Sequence, residues 1–223
     1  MDMQTVMAST VHDVKNSLGM INSQLNDVFK KLQQTDPDSA QEIRRIQLEC
    51  GRINNGMVHM LGLYKLHKGT FHPAVEEVFV PDVINDAVSR YSELFGSLGI
   101  AMDVHFEDPD CLWYMDANLV EGLLGNVLTN SIRYTKSMLQ FDVREQGDWL
   151  NVRIKDDGEG FPEKMLNLLD QPESVCFQSG ATGLGLFFCQ KIAEFHTNGD
   201  RHGYVKLSND KETNGAIFDL YLP

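Results

Sequence analysis

Val11, Val14, Leu18, Ile21, Leu25, Val28 and Leu32 recur at alternating steps of three and four residues. This heptad seam predicts a helix over residues 4–33 and commits the N-terminal part of the chain to packing helix against helix. Thr35-Asp36-Pro37-Asp38-Ser39 supplies a stop and a new N-cap. A second seam follows, with Ile43, Ile46, Cys50, Ile53, Met57, Met60 and Tyr64, and predicts a helix from about Ser39 to Leu66. Two seamed helices joined by a short turn form an antiparallel hairpin that leaves one apolar stripe facing outward. A second copy of the hairpin covers that stripe as a four-helix bundle, so a homodimer is expected.

His12 directly follows the seam residue Val11 and should lie just off the packed face. Its imidazole is largely unprotonated near neutral pH and carries a free lone pair. Asp13 is adjacent, and Asn16 follows His12 by one helical turn on the same face. A nucleophile, a carboxylate and an amide are thus presented together. Alone, the trio reads by default as a surface histidine beside a locally paired acid.

Residues 1–66 are therefore expected to form the hairpin, 67–80 a linker, and 81–223 a second domain in which helices and strands alternate. Helices are predicted over Pro81 to Leu98, Asn118 to Tyr134 and Gly183 to Phe195. Strands are predicted over Ile100 to Phe106, Gln140 to Glu145, Leu150 to Lys155, Gly203 to Ser208 and Gly215 to Leu222, with a polar loop over 161–182. That order suggests an α/β two-layer sandwich following the all-α hairpin.

A net charge of -13 argues against nucleic acid as the main partner, because phosphate backbones need a basic footprint. The four cysteines, Cys50, Cys111, Cys176 and Cys189, have no C-x-x-C spacing and read as reduced thiols rather than metal ligands. The sequence contains no apolar run long enough to span a bilayer and no signal-peptide pattern, so a cytoplasmic location is expected.

Three stretches of the second domain carry chemistry. In Asn126-Val127-Leu128-Thr129-Asn130, the two asparagines lie one turn apart, with Arg133 and Tyr134 just beyond. Amide oxygens suit a hard cation such as Mg²⁺, and Arg133 could offer charge to a polyphosphate; equally, the pair could bond local backbone. In Asp156-Asp157-Gly158-Glu159-Gly160, a strand-end acid is followed by glycines that let backbone approach a flat ligand. Such an acid can accept from an exocyclic amine, although D-G is also an ordinary turn. Gly180-Ala181-Thr182-Gly183-Leu184-Gly185 opens a helix and exposes amides to an anion, without the residues of a P-loop.

The order of these features, a His-Asp-x-x-Asn hairpin, an Asn pair, D-x-G-x-G, a loop and G-L-G-L, resembles the two-component sensor histidine kinases. It is similar to their dimerisation and phosphotransfer hairpin followed by the ATP-binding domain shared with gyrase, Hsp90 and MutL. The resemblance implies ATP and Mg²⁺ as cofactors. It implies that His12 accepts the phosphoryl group with Asp13 as general base, and that Asn16 orients a water for phosphatase action. Asn130 would coordinate Mg²⁺ beside Asn126, Arg133 and Tyr134. Asp156 would read adenine with Gly158 and Gly160. Gly183, Leu184 and Gly185 would lie on the phosphate side, below a lid of residues 161–182 anchored by Phe177. The implied partners are a response-regulator receiver domain, whose aspartate takes the phosphoryl group, and a separate sensor protein or domain. Ser17, Gly122 and Ala181 depart from the family pattern, which usually has proline, Gln or Glu, and glycine there. Two alternatives stay open: a phosphotransfer module with a degenerate nucleotide domain, and a serine-directed kinase or ATP-driven clamp of the same superfamily.

Overall fold

The computed structural model describes residues 3–67, 73–166 and 184–223, and divides the chain into two compact units, Met1–Phe71 and His72–Pro223.

The first unit is a hairpin of α1 (Met3–Leu32) and α2 (Pro37–His67). Asp36 caps α2: its Oδ1 accepts from the Ser39 amide at 3.2 Å and its Oδ2 from the Ser39 hydroxyl at 2.6 Å. The helices meet near the turn through Phe29, with the Arg44 guanidinium 3.7 Å from its ring centroid. Both residues are buried, and neither belongs to the expected seams. Of the seam residues, Val11 is buried, whereas Ile21, Val28, Ile46 and Ile53 are exposed. The single hairpin is therefore closed at its turn by a cation–π contact and carries an uncovered apolar stripe.

The second unit is a two-layer sandwich. Its sheet has the order β2 (Ala101–Phe106), β4 (Met138–Glu145), β5 (Leu150–Asp156), β9 (Ala216–Leu222) and β8 (Tyr204–Asn209). β2 and β4 are parallel and the other pairs antiparallel. Facing pairs such as Val152↔Leu220 and Ile154↔Phe218 put apolar side chains on one face. That face is covered by α3 (Val80–Ser97), α4 (Ala117–Tyr134) and α6 (Leu184–Phe195). Leu123, Leu124, Leu128, Leu150 and Leu220 are fully buried between the layers. The small residue Gly125 lets α4 approach α3: a Cβ there would stand 3.0 Å from the Tyr91 hydroxyl.

The hairpin and the alternating unit follow the sequence closely, and the differences are short elements with weak patterns. β1 (Glu76–Phe79), inside the stretch expected as linker, pairs antiparallel with β3 (Leu112–Met115). Its residues are mostly exposed, so no alternation announces it. α5 (Glu163–Leu166) interrupts the start of the expected loop, and β6 (Thr197–Asn198) with β7 (Arg201–His202) forms a two-residue ribbon. Among the described residues, no helix is long and apolar enough to cross a membrane.

Candidate functional site: a carboxylate at the end of the central strand

Asp156 is the last residue of β5 and is buried. Its Oδ1 accepts the Gly158 amide at 2.8 Å and the Ala216 amide at 3.0 Å. Both bonds end on Oδ1; among the described residues none ends on Oδ2. Two backbone donors thus hold the carboxyl in one orientation and leave its other oxygen to accept a donor from a ligand.

The glycines around it are demanded by sterics. A Cβ on Gly158 would stand 2.2 Å from the Tyr134 carbonyl oxygen, and one on Gly215 would stand 1.9 Å from that of Asp156. Gly160 has φ 82° and abuts the Asn214 carbonyl. The loop after β5 is therefore pressed between the C-terminus of α4 and the turn joining β8 to β9. Asn209 clamps it, accepting the Phe161 amide at 2.7 Å and donating to the Phe161 carbonyl at 2.9 Å.

Asp157 holds the other side. It accepts the Lys136 amide at 2.9 Å and the Ser137 hydroxyl at 2.6 Å, and so fixes the turn after α4. Burial raises its carboxyl pKa, but the Ser137 hydroxyl and amide outweigh that and hold it well below the usual carboxylate range.

The two asparagines of α4 have different surroundings. Asn130 is exposed and presents its carboxamide at the surface, as do Arg133 and Tyr134 their side chains. Asn126 is buried, and its Nδ2 donates to the Cys189 Sγ of α6 at 3.3 Å. The two amides, one turn apart on α4, thus differ in exposure. Asn130 faces outward, while Asn126 turns into the contact with α6. Gly185 accommodates this: a Cβ there would stand 2.6 Å from the Asn126 Nδ2.

Among the described residues no group of three His, Cys, Asp or Glu side chains could enclose a metal ion. The donor set still fits Mg²⁺ brought by a polyphosphate, since that ion keeps waters and phosphate oxygens and needs few protein ligands. Asn130 would hold it.

In the first unit, Asp13 and Asn16 are exposed on α1, and the Ser17 hydroxyl donates to the Asp13 carbonyl at 2.9 Å. His12 lies on the same helix, but its side chain falls outside the described residues, as does that of Leu184. Phe177 and Gly183 also lie outside them.

Sequence reasoning missed Ala216, Asn209, Asp157 and Cys189. The Asn214-Gly215 pair, with Asn214 at φ 60°, was a legible turn signal. Nothing in the sequence tied that turn to Asp156.

Residues 115–223 match the family described as histidine kinase-, DNA gyrase B-, and HSP90-like ATPase. That segment contains α4, the Asp156 loop and α6, and is similar to ATPase domains of this class. The chain as a whole resembles a two-component histidine kinase catalytic core. It is 23% identical over 197 residues to the virulence sensor histidine kinase PhoQ of Salmonella typhimurium, covering 86% of this chain and 38% of PhoQ. It is also 23% identical over 224 residues to sporulation kinase B of Bacillus subtilis, covering 97% of this chain and 48% of that kinase. The chain thus spans less than half the length of either relative. In fold it is similar to the Acinetobacter baumannii histidine kinase AdeS, with a TM-score of 0.61 at 16% identity over 89% of this chain and 94% of that one. The catalytic domain of histidine kinase ThkA gives 0.56 at 21% identity, over 67% of this chain and 95% of that one.

Proposed function

We propose that this chain is the core of an ATP-dependent histidine autokinase. The observation that carries the reading is Asp156, held through Oδ1 by two backbone amides with Oδ2 left to accept the adenine amino group. In this reading, Gly158 and Gly160 let the loop beside the base pack against the Tyr134 and Asn214 carbonyls, and Asn130 holds Mg²⁺. Gly183, Leu184 and Gly185 lie on the phosphate side with Asn126 behind them. Arg133 supplies positive charge, Tyr134 lies beside the base or ribose, and Phe177 anchors the lid. Magnesium, when bound, neutralises phosphate charge as the phosphoryl group leaves.

The imidazole lone pair of His12 attacks the terminal phosphorus, the bond to the ADP oxygen breaks, and Asp13 takes the proton from the other ring nitrogen. The resulting P–N bond is labile and breaks when a receiver-domain aspartate oxygen attacks, and the proton held by Asp13 returns to the ring, which restores the neutral imidazole. Asn16 orients the water that later hydrolyses the aspartyl phosphate. A homodimer covers the Ile21, Val28, Ile46 and Ile53 stripe, and a separate sensor protein or domain supplies the input.

Incubation of the full chain with γ-labelled ATP and Mg²⁺ tests this. The expected product is an acid-labile, base-stable label that His12→Gln abolishes and that moves to a receiver domain on mixing. Label surviving in His12→Gln would point to a serine-directed kinase or an ATP-driven clamp. No label at all would leave a phosphotransfer module.

A further inference from the structure

At the end of α4 remote from Asn130, Asp116 and His196 form a buried polar junction. Asp116 caps α4, its Oδ1 accepting the Leu119 amide at 3.1 Å. Its Oδ2 accepts the Ala74 amide at 2.8 Å, and its own amide donates to His196 Nε2 at 3.0 Å. His196, the residue after the last turn of α6, is 1% exposed and its Nδ1 lies 2.9 Å from the Ile192 carbonyl.

These partners decide the tautomer. A carbonyl cannot donate, so Nδ1 carries the proton, and an amide cannot accept, so Nε2 is bare. The ring is therefore neutral. Burial pushes its pKa below the ordinary 6.5, against the Ile192 carbonyl bond and the Asp116 charge. The cleft beside it also holds Asp148 and Arg201, which are paired with each other at 2.7 Å.

We infer that His196 and Asp116 are positioning residues for nucleotide, fixing the C-terminus of α6 against the N-terminus of α4, while Gly185 at the start of α6 abuts Asn126 at mid-α4. This rests on the nucleotide-site reading above. α4 carries Asn130 and α6 begins at Leu184-Gly185. With α6 held at both of its ends against the first half of α4, the spacing between the cation ligand and the phosphate-side backbone is set before nucleotide arrives. Ala74 ties the first described residues of the second unit to the same carboxylate. An apolar side chain would fill the His196 volume; it would not hold the Asp116 amide.

The test is binding of a fluorescent ATP analogue with Mg²⁺ to the full chain, at about pH 7.5 and about pH 5.5, with thermal unfolding followed on the same samples. Protonation turns Nε2 into a donor facing the Asp116 amide, so wild-type affinity is expected to fall once the pH drops below the lowered pKa of His196. His196→Gln offers that amide an acceptor that does not titrate; it should bind like wild type at the higher pH and lose less affinity at the lower. His196→Phe, which keeps the bulk, should bind about tenfold more weakly at either pH while still unfolding cooperatively. Should that variant not fold, Ala74→Pro removes one donor at an exposed position and should weaken binding about threefold. Wild-type affinity in folded His196→Phe or in Ala74→Pro would overturn the inference, as would an unchanged acid loss in His196→Gln. A wild-type chain that binds no nucleotide would instead remove the site reading and this inference with it.

Discussion

The carboxamide of Asn126 and the bare Cα of Gly185 are packed so closely that a single added carbon at 185 would stand 2.6 Å from Nδ2 and 2.8 Å from Oδ1. α4 and α6 therefore meet through a polar side chain lying against a residue with no side chain. The Cys189 thiol closes the contact; burial raises its pKa to about 12, and it stays protonated. Gly185→Ala should gain a few tenths of a kcal/mol in helix propensity, up to about 1 kcal/mol. It should lose about 1–3 kcal/mol when the Asn126 amide is pushed off the thiol while still buried. The second effect wins. Nucleotide affinity should fall about tenfold, with a lower unfolding midpoint, measured by calorimetric titration and thermal melts.

Asp156→Asn separates holding from reading. The asparagine carbonyl can still accept the two amides that Oδ1 accepts in wild type. The new NH₂ group then stands where Oδ2 stood and meets an adenine amino group donor to donor. A charge-assisted bond is lost and a repulsion added, so affinity for ATP should drop by about 2–3 kcal/mol, with near-wild-type stability. Affinity for a nucleotide whose base presents an acceptor at that position should fall less. Titration with both nucleotides checks this, and equal losses would show that Asp156 does not face the base.

Asp157 ties the turn after α4 to the loop after β5, and its depressed pKa gives this tie a pH signature. The group releases its proton more readily when folded than when unfolded. Its contribution is complete above the ordinary carboxylate value of 3.8 and is lost as pH falls below it. Asp157→Asn should therefore lower the unfolding midpoint near neutrality and narrow the gap to wild type below about pH 4. A gap that stays constant across that range in thermal melts would assign the bonds to Ser137 no linked role.

Much of this arrangement was legible in the sequence because its cause is local. Heptad spacing marked α1 and α2, period-two apolar runs marked β5 and β9, and Asp156 with its glycines stood out at a strand end. Contacts made by side chains far apart in the chain were not legible. Asn126 and Asn130 look alike one turn apart, and only the docking of α6 on α4 separates a buried amide from an exposed one. Phe29 and Arg44 sit off the seams, yet they close the hairpin. The strand pair β1 and β3 was missed because each is four residues long, β1 is mostly exposed and β3 is apolar throughout, so neither alternates in sequence. His196, a lone histidine in an apolar context, gives no sign in the sequence that its ring caps a contact with Asp116.

The uncovered stripe on the hairpin yields the last expectation. Ile21 is 43% exposed, Val28 40%, Ile46 47% and Ile53 50%. These positions recur at heptad spacing along both helices, which is how a bundle seam is written rather than how scattered surface residues fall. Covering each such side chain should gain about 1–2 kcal/mol, so one substitution leaves a weakened dimer and two abolish it. Ile21→Glu with Ile53→Glu should convert the chain to a monomer in sedimentation equilibrium. Helix content should change little, because both positions are already solvated in the single hairpin. Nucleotide binding should persist, since every residue assigned to that site lies in the second unit. If the monomeric variant still labels His12 with ATP, phosphoryl transfer runs within one chain; if it binds nucleotide but takes no label, transfer runs between chains.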